Sequence, residues 1–130
     1  MKICKKILLV DDDMDIREMV AEILRDEGYN ISTAENGQEA LDHLISCTPA
    51  ELPGCIILDL MMPVMTGTQF LERIQKEERY SSIPVIVASA KGSATEELDI
   101  LPRHVQKIRK PMDLDELLNT IGRYCGMPAV

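Results

Sequence analysis

The chain has 130 residues, 45% of them hydrophobic, which suits one domain with its own core and excludes a disordered polymer. Its 14 basic and 22 acidic residues leave a formal charge of -8, which argues against nucleic acid as the main partner, because phosphate backbones are bound through basic excess. No apolar stretch approaches the roughly 20 residues of a membrane span, and the apolar run after Met1-Lys2-Ile3-Cys4-Lys5-Lys6 is too short for a signal peptide, so a soluble cytoplasmic protein is expected.

Strand and helix patterns alternate along the chain. Residues 6–11 read as a strand, because Ile7-Leu8-Leu9-Val10 is an unbroken apolar run that stops on Asp11-Asp12-Asp13. From Asp15 to Glu27, Ile16, Met19, Val20, Ile23 and Leu24 recur at helical spacing, and Gly28 ends the helix. Asn30 to Ala34 is short and β-branched, hence a second strand. Asn36-Gly37 signals a turn, and Ala40, Leu41, Leu44 and Ile45 form the apolar face of a second helix. Thr48 to Gly54, with two prolines, reads as a loop. Residues 55–60 form the third strand, ending on Asp59 and followed by a loop from Pro63 through Gly67. Phe70, Leu71 and Ile74 mark a third helix, and Ile83 to Ala88 a fourth strand that ends on Ser89. A Gly92-Ser93 break leads to a weak helix from Thr95 to Leu101. The fifth strand, 105–109, delivers Lys110-Pro111. Asp113 and Glu116 have capping-box spacing before a last helix carrying Leu114, Leu117, Leu118 and Ile121, and residues 126–130 read as a frayed tail.

Five βα units in this order predict a three-layer α/β domain with a doubly wound, five-stranded parallel sheet of order 2-1-3-4-5, flavodoxin-like. Residues 1–125 form the domain and 126–130 the tail; with no chain left after the last helix, no output domain is expected.

In an open parallel sheet, ligands bind outside the carboxyl ends of the strands. Asp11, Asp12, Asp59, Ser89 and Lys110 all fall there. Three carboxylates in one crevice repel each other, and a divalent cation removes that cost. Mg²⁺ prefers a few hard oxygen ligands and keeps several waters. Taken alone, Asp11 and Asp12 would be ordinary helix-capping acids, Ser89 a plain strand-end serine and Lys110 a solvated charge. Their coincidence at matching strand ends is what points to chemistry. Asp59 is the candidate nucleophile for an aspartyl phosphate, Lys110 a neutralising ammonium and Ser89 a hydroxyl for a phosphoryl oxygen. Asp11-x-Asp13-x-Asp15 mimics the start of a calcium loop, but Ile16 stands where that loop needs glycine, so Asp13 and Asp15 are assigned to the helix N-terminus. The cysteines, Cys4, Cys47, Cys55 and Cys125, form no C-x-x-C pair and read as reduced, mostly buried thiols. A structural zinc site would need further histidine spacing that His43 and His104 do not supply.

These motifs resemble a response-regulator receiver domain, the phosphoacceptor module of two-component signalling. The resemblance is carried by Ile7-Leu8-Leu9-Val10-Asp11-Asp12-Asp13, by Ile57-Leu58-Asp59-Leu60-Met61-Met62-Pro63 with Gly67, by Pro84-Val85-Ile86-Val87-Ala88-Ser89-Ala90 and by Lys110-Pro111, and covers residues 5–124. It implies a stand-alone receiver whose Asp59 accepts a phosphoryl group from a histidine kinase or a histidine phosphotransfer protein. It implies Mg²⁺ (or Mn²⁺) held by Asp12 directly, by Asp11 largely through water, by Asp59 and by the backbone carbonyl of Met61. Ser89 and Lys110 would hold the phosphoryl group, and the signal would pass to another protein or onward as phosphate. Only self-phosphotransfer and self-dephosphorylation are expected, so the chain is not read as an enzyme. A haloacid-dehalogenase-type phosphohydrolase would carry Asp-x-Asp-x-Thr on its first strand, which this chain lacks. A phosphorylation-independent receiver-like binding module is the alternative, disfavoured because all five site positions carry competent residues.

The sequence departs from the family in three places. Lys107 stands where a switch aromatic is usual, three residues before Lys110, which puts the usual coupling of hydroxyl residue and aromatic in question. Pro102 occupies the stretch where a Gly-Ala turn is familiar, so the preceding helix is expected to be short or displaced. Arg103, Lys107, Arg109 and Lys110 form a basic cluster that reads equally as solvated edge charge or as a docking surface for an acidic partner. Met61 and Lys91 flank the position where family members tune phosphate loss, and Met61 has no polar side-chain group to orient an attacking water. A comparatively long-lived phosphorylated form is therefore expected, and a phosphate-release assay showing loss within seconds would contradict it.

Overall fold

The computed structural model describes residues 6–59, 67–81, 83–89, 105–109 and 114–125. The expected weak helix at 95–101, the cap at Asp113 and the tail at 126–130 lie outside these residues, as do Met61, Lys91, Arg103 and Lys110. The elements are β1 (Lys6–Val10), α1 (Met14–Asp26), β2 (Asn30–Ala34), α2 (Gly37–Ser46), a 3₁₀ turn (Pro49–Glu51), β3 (Cys55–Asp59), α3 (Gly67–Gln75), α4 (Glu78–Ser81), β4 (Val85–Ser89), β5 (Val105–Arg109) and α5 (Leu114–Cys125). All five strands pair in parallel in the order β2-β1-β3-β4-β5, as the alternation of elements predicts.

Why β1 and β3 read as continuous apolar runs is visible in the packing. Side chains alternate between the two faces of a strand. Leu8, Val10, Ile56 and Leu58 pack with Ala40, Leu41 and Leu44 of α2 and Phe70, Leu71 and Ile74 of α3. Ile7, Leu9, Cys55 and Ile57 pack with Val20, Ala21 and Leu24 of α1 and Leu117 and Ile121 of α5. Both faces of the central strands are thus covered, and every residue of β3 is buried.

Local signals set the helix ends. Asp13 is the N-cap of α1: its Oδ1 accepts from the backbone N–H of Asp15 at 3.0 Å and of Ile16 at 3.1 Å. Asn36 caps α2, accepting from the Glu39 N–H at 2.8 Å. The far end of α1 closes with a Schellman motif, in which the Gly28 N–H donates to Arg25 O at 3.0 Å and the Tyr29 N–H to Leu24 O at 3.1 Å. Gly28 has φ 101°, a left-handed value that a Cβ makes costly.

The structure differs from the sequence reading in detail. The loop from Thr48 contains a 3₁₀ turn, held by Glu51 N–H donating to Thr48 O at 2.9 Å and by Thr48 N–H donating to Glu51 Oε1 at 2.8 Å. The short α4 has no apolar periodicity to betray it; it folds because Tyr80 is buried. The fourth strand begins at Val85 rather than Ile83, because the Ile83 N–H bonds Tyr80 O in a turn while its side chain still enters the core.

Replacing Gly28 by alanine is expected to destabilise the fold by about 1–2 kcal/mol, the cost of a Cβ in the left-handed region. Denaturant unfolding measures this; an unchanged midpoint would mean that the motif does not depend on the glycine.

Candidate functional site

The carboxyl edge of the sheet is built by register. Leu9 pairs with Ile57 and Val10 with Leu58, so one step further along the same two strands lie Asp11 and Asp59. Both continue the alternation that faces α1 and α5, since Ile7 and Leu9 precede Asp11 at intervals of two, as Cys55 and Ile57 precede Asp59. Both are buried, Asp11 at 1% and Asp59 at 4% exposure, whereas Asp12 is exposed. One carboxylate oxygen from each of Asp11, Asp12 and Asp59 lies within 4.8 Å of the other two. Two donors are thus fixed in the protein and one opens to solvent.

The loop carrying Asp11 and Asp12 is braced at several points. The Asp11 N–H donates to Ala34 O at 3.1 Å, extending the β1–β2 ladder by one residue. Asp11 Oδ1 accepts from the Asp13 N–H at 2.9 Å, and Asp13 in turn caps α1. The Arg17 guanidinium donates to Asp11 O at 2.8 Å, while the Arg17 N–H bonds Asp13 O at 2.9 Å. Arg17 escaped the sequence reading. Its only signal was a cation four residues beyond the Asp13 cap, on the first turn of α1.

Ser89 ends β4 immediately after Ala88, the register partner of Asp59, and is itself the partner of Arg109 at the end of β5. Its backbone is therefore at the same edge as the acidic cluster. Lys110 and Met61 lie outside the described residues.

Hard carboxylate oxygens, two of them buried and one exposed, are donors of the kind Mg²⁺ takes, leaving positions for water. The cluster of Asp11, Asp12 and Asp59 therefore fits a divalent cation by donor chemistry and proximity.

Residues 7–122 match the family described as response regulator receiver domain. The chain belongs to that family. Among similar proteins, response regulator Rre1 of Synechocystis sp. is 35% identical over 113 residues, covering 85% of this chain and 47% of that protein. Sporulation initiation phosphotransferase F of Bacillus subtilis is 33% identical over 125 residues, covering 92% of this chain and 93% of that one. The crystallised chemotaxis response regulator CheY4 of Vibrio cholerae superposes with a TM-score of 0.79 at 31% identity, covering 93% of this chain and 98% of that chain. The receiver thus spans about half the length of the first relative and nearly all of the other two. Among the described residues of the receiver, no helix is long and apolar enough to cross a membrane.

If the acidic cluster of the receiver binds Mg²⁺, the ion at about a hundred times its dissociation constant should stabilise the fold by about 2.7 kcal/mol. Asp59→Asn should remove most of that gain. Denaturant unfolding with and without the ion measures both, and a full gain in Asp59→Asn would place the ion elsewhere.

Proposed function

We propose that this receiver takes a phosphoryl group on Asp59 from a phosphohistidine donor, with Mg²⁺ (or Mn²⁺) at the acidic cluster. The observation that carries the reading is the gathering of Asp11, Asp12 and Asp59 at the carboxyl edge of the sheet, with Asp59 at the end of a strand buried throughout. A carboxylate oxygen of Asp59 attacks phosphorus, an O–P bond forms, and the P–N bond to the donor imidazole breaks with the electron pair leaving on nitrogen. The cation, when bound, supplies charge neutralisation at the phosphoryl oxygens. Asp11, Asp12 and Asp59 would hold it together with the Met61 carbonyl oxygen. Phosphoryl transfer asks little else of a protein than alignment and compensation of charge.

Ser89 and Lys110 complete the proposed site. The serine hydroxyl would donate to one phosphoryl oxygen and the lysine ammonium would neutralise another. Register supports both assignments, because Ser89 follows the partner of Asp59 and Lys110 follows the partner of Ser89. Residues 1–125 are proposed as the receiver unit and 126–130 as a short tail. The donor would be a histidine kinase or a histidine phosphotransfer protein in the cytoplasm, and the output another protein rather than nucleic acid. The likeness to sporulation initiation phosphotransferase F, named for phosphotransfer, supports a role in relay. With a single acceptor and no leaving product beyond its own phosphate, the chain would not turn over free substrates.

Acetyl phosphate or phosphoramidate with Mg²⁺ should add the mass of one phosphoryl group to the intact protein. That gain should vanish in Asp59→Asn and persist in Asp13→Asn. Modification that survives loss of Asp59, or none in the wild type, would overturn the assignment.

A further inference from the structure

The amino end of the sheet carries a different chemistry. A cavity of about 190 Å³ opens there, lined in part by Lys6 at the start of β1, His43 and Cys47 on α2, and Glu51 in the 3₁₀ turn. His43 and Cys47 are four residues apart, hence on one side of the helix, and both are half-buried. His43 Nε2 and Cys47 Sγ stand 3.7 Å apart. A tetrahedral ion bonded to one imidazole nitrogen and one thiolate, at the usual bond lengths, sets those two atoms about 3.6 Å apart. The pair is therefore already spaced as one ion would space it.

Two further features favour a cation at this point. Cys47 is the C-cap of α2, at the negative end of the helix dipole. Glu51 brings a carboxylate to the same cavity. The Lys6 ammonium, which also lines the cavity and would repel a cation, donates to Ala50 O at 3.2 Å.

We propose that His43 and Cys47 form a second metal site that takes Zn²⁺ or a similar thiophilic ion, with Glu51 as its charge partner. Among the described residues, the acidic cluster is the only group of three His, Cys, Asp or Glu side chains with donor atoms within 4.8 Å of one another. The second site is therefore a two-donor, open one, completed by water. This is compatible with the lack of a closed structural zinc motif in the sequence. A search for C-x-x-C spacing passes over His-x₃-Cys, which only a helix brings together. Nitrogen and sulfur donors select zinc-like ions, and carboxylates select magnesium, so the two ends of the sheet discriminate by ligand softness.

Co²⁺ titration of the full chain, reduced and with Mg²⁺ in excess, tests the proposal through the thiolate-to-cobalt charge-transfer band in the near ultraviolet. The band should appear in the wild type, vanish in Cys47→Ser and persist in Cys4→Ser, Cys125→Ser and Asp59→Asn. His43→Ala should weaken the affinity at least as much as loss of a supporting partner does, roughly 10–100-fold. Zn²⁺ should raise the unfolding temperature of the wild type and not of Cys47→Ser. A metal-free unfolding transition of Cys47→Ser close to that of the wild type shows that this variant is folded. No band in the wild type, a band that survives Cys47→Ser, or affinity indifferent to His43 would overturn the proposal. None of these outcomes bears on Asp59, so the two readings fail separately.

Discussion

The pairing of β1 with β3 governs the carboxyl edge. Parallel register brings Leu9 level with Ile57 and Val10 level with Leu58, so Asp11 and Asp59 are delivered side by side by the same hydrogen bonds that hold the core. The two acids are buried, with carboxylate oxygens within 4.8 Å of each other. The core has to hold both of them in place. It can do so because each large side chain buried in β1 and β3 contributes about 1.5–3 kcal/mol. A one-residue slip would turn every one of those side chains to the opposite face and would also separate the acids. Fold stability and site assembly are thus one constraint.

Arg17 shows how the turn is braced locally. It grips the Asp11 carbonyl oxygen, while Asp11 and Asp13 accept backbone N–H groups of the turn. The Asp11 carboxylate is thus held by a directed bond to the main chain, with one oxygen each of Asp11, Asp12 and Asp59 within 4.8 Å of one another. Such a loop is stiff where it meets β1 and α1 and open at Asp12. A cation would reach the cluster from that side. Fixing the donors beforehand reduces the ordering cost at the moment of binding.

Much of this was legible in the sequence for a specific reason. The continuous apolar runs of β1 and β3 admit few alternatives to buried parallel strands, and acids at their ends then have to converge. Asp13 and Gly28 announced the limits of α1 through side-chain capping and left-handed backbone, which are local chemistry. What the sequence hid was non-local or short. Tyr80 folds α4 by entering a cavity that several distant elements make, and a four-residue helix has no period to detect. Ile83 belongs to the core without belonging to the sheet, so an apolar count overran the start of β4 by two residues. The prolines at 49 and 53 marked a break correctly, yet Pro49 also begins a 3₁₀ turn, where its missing N–H costs nothing. Arg17 carried little signal, because its guanidinium acts on the carbonyl of Asp11, six residues back and outside the helix.

The same strand geometry that joins Asp11 to Asp59 holds the two ends of the sheet apart. β1 has five residues, so its ends are separated by roughly 15 Å at the rise of an extended chain. Oxygen donors at one end with nitrogen and sulfur at the other would leave little chemical competition between cations. An influence of one end on the other can also travel through packing. The available route is short. His43 on α2 and Cys47 at its C-cap flank Leu44, which shares a buried cluster with Ile56 and Leu58, and Leu58 directly precedes Asp59. Restraint of the α2 terminus would reach the acidic edge through this shared cluster, by changing how tightly β3 is held.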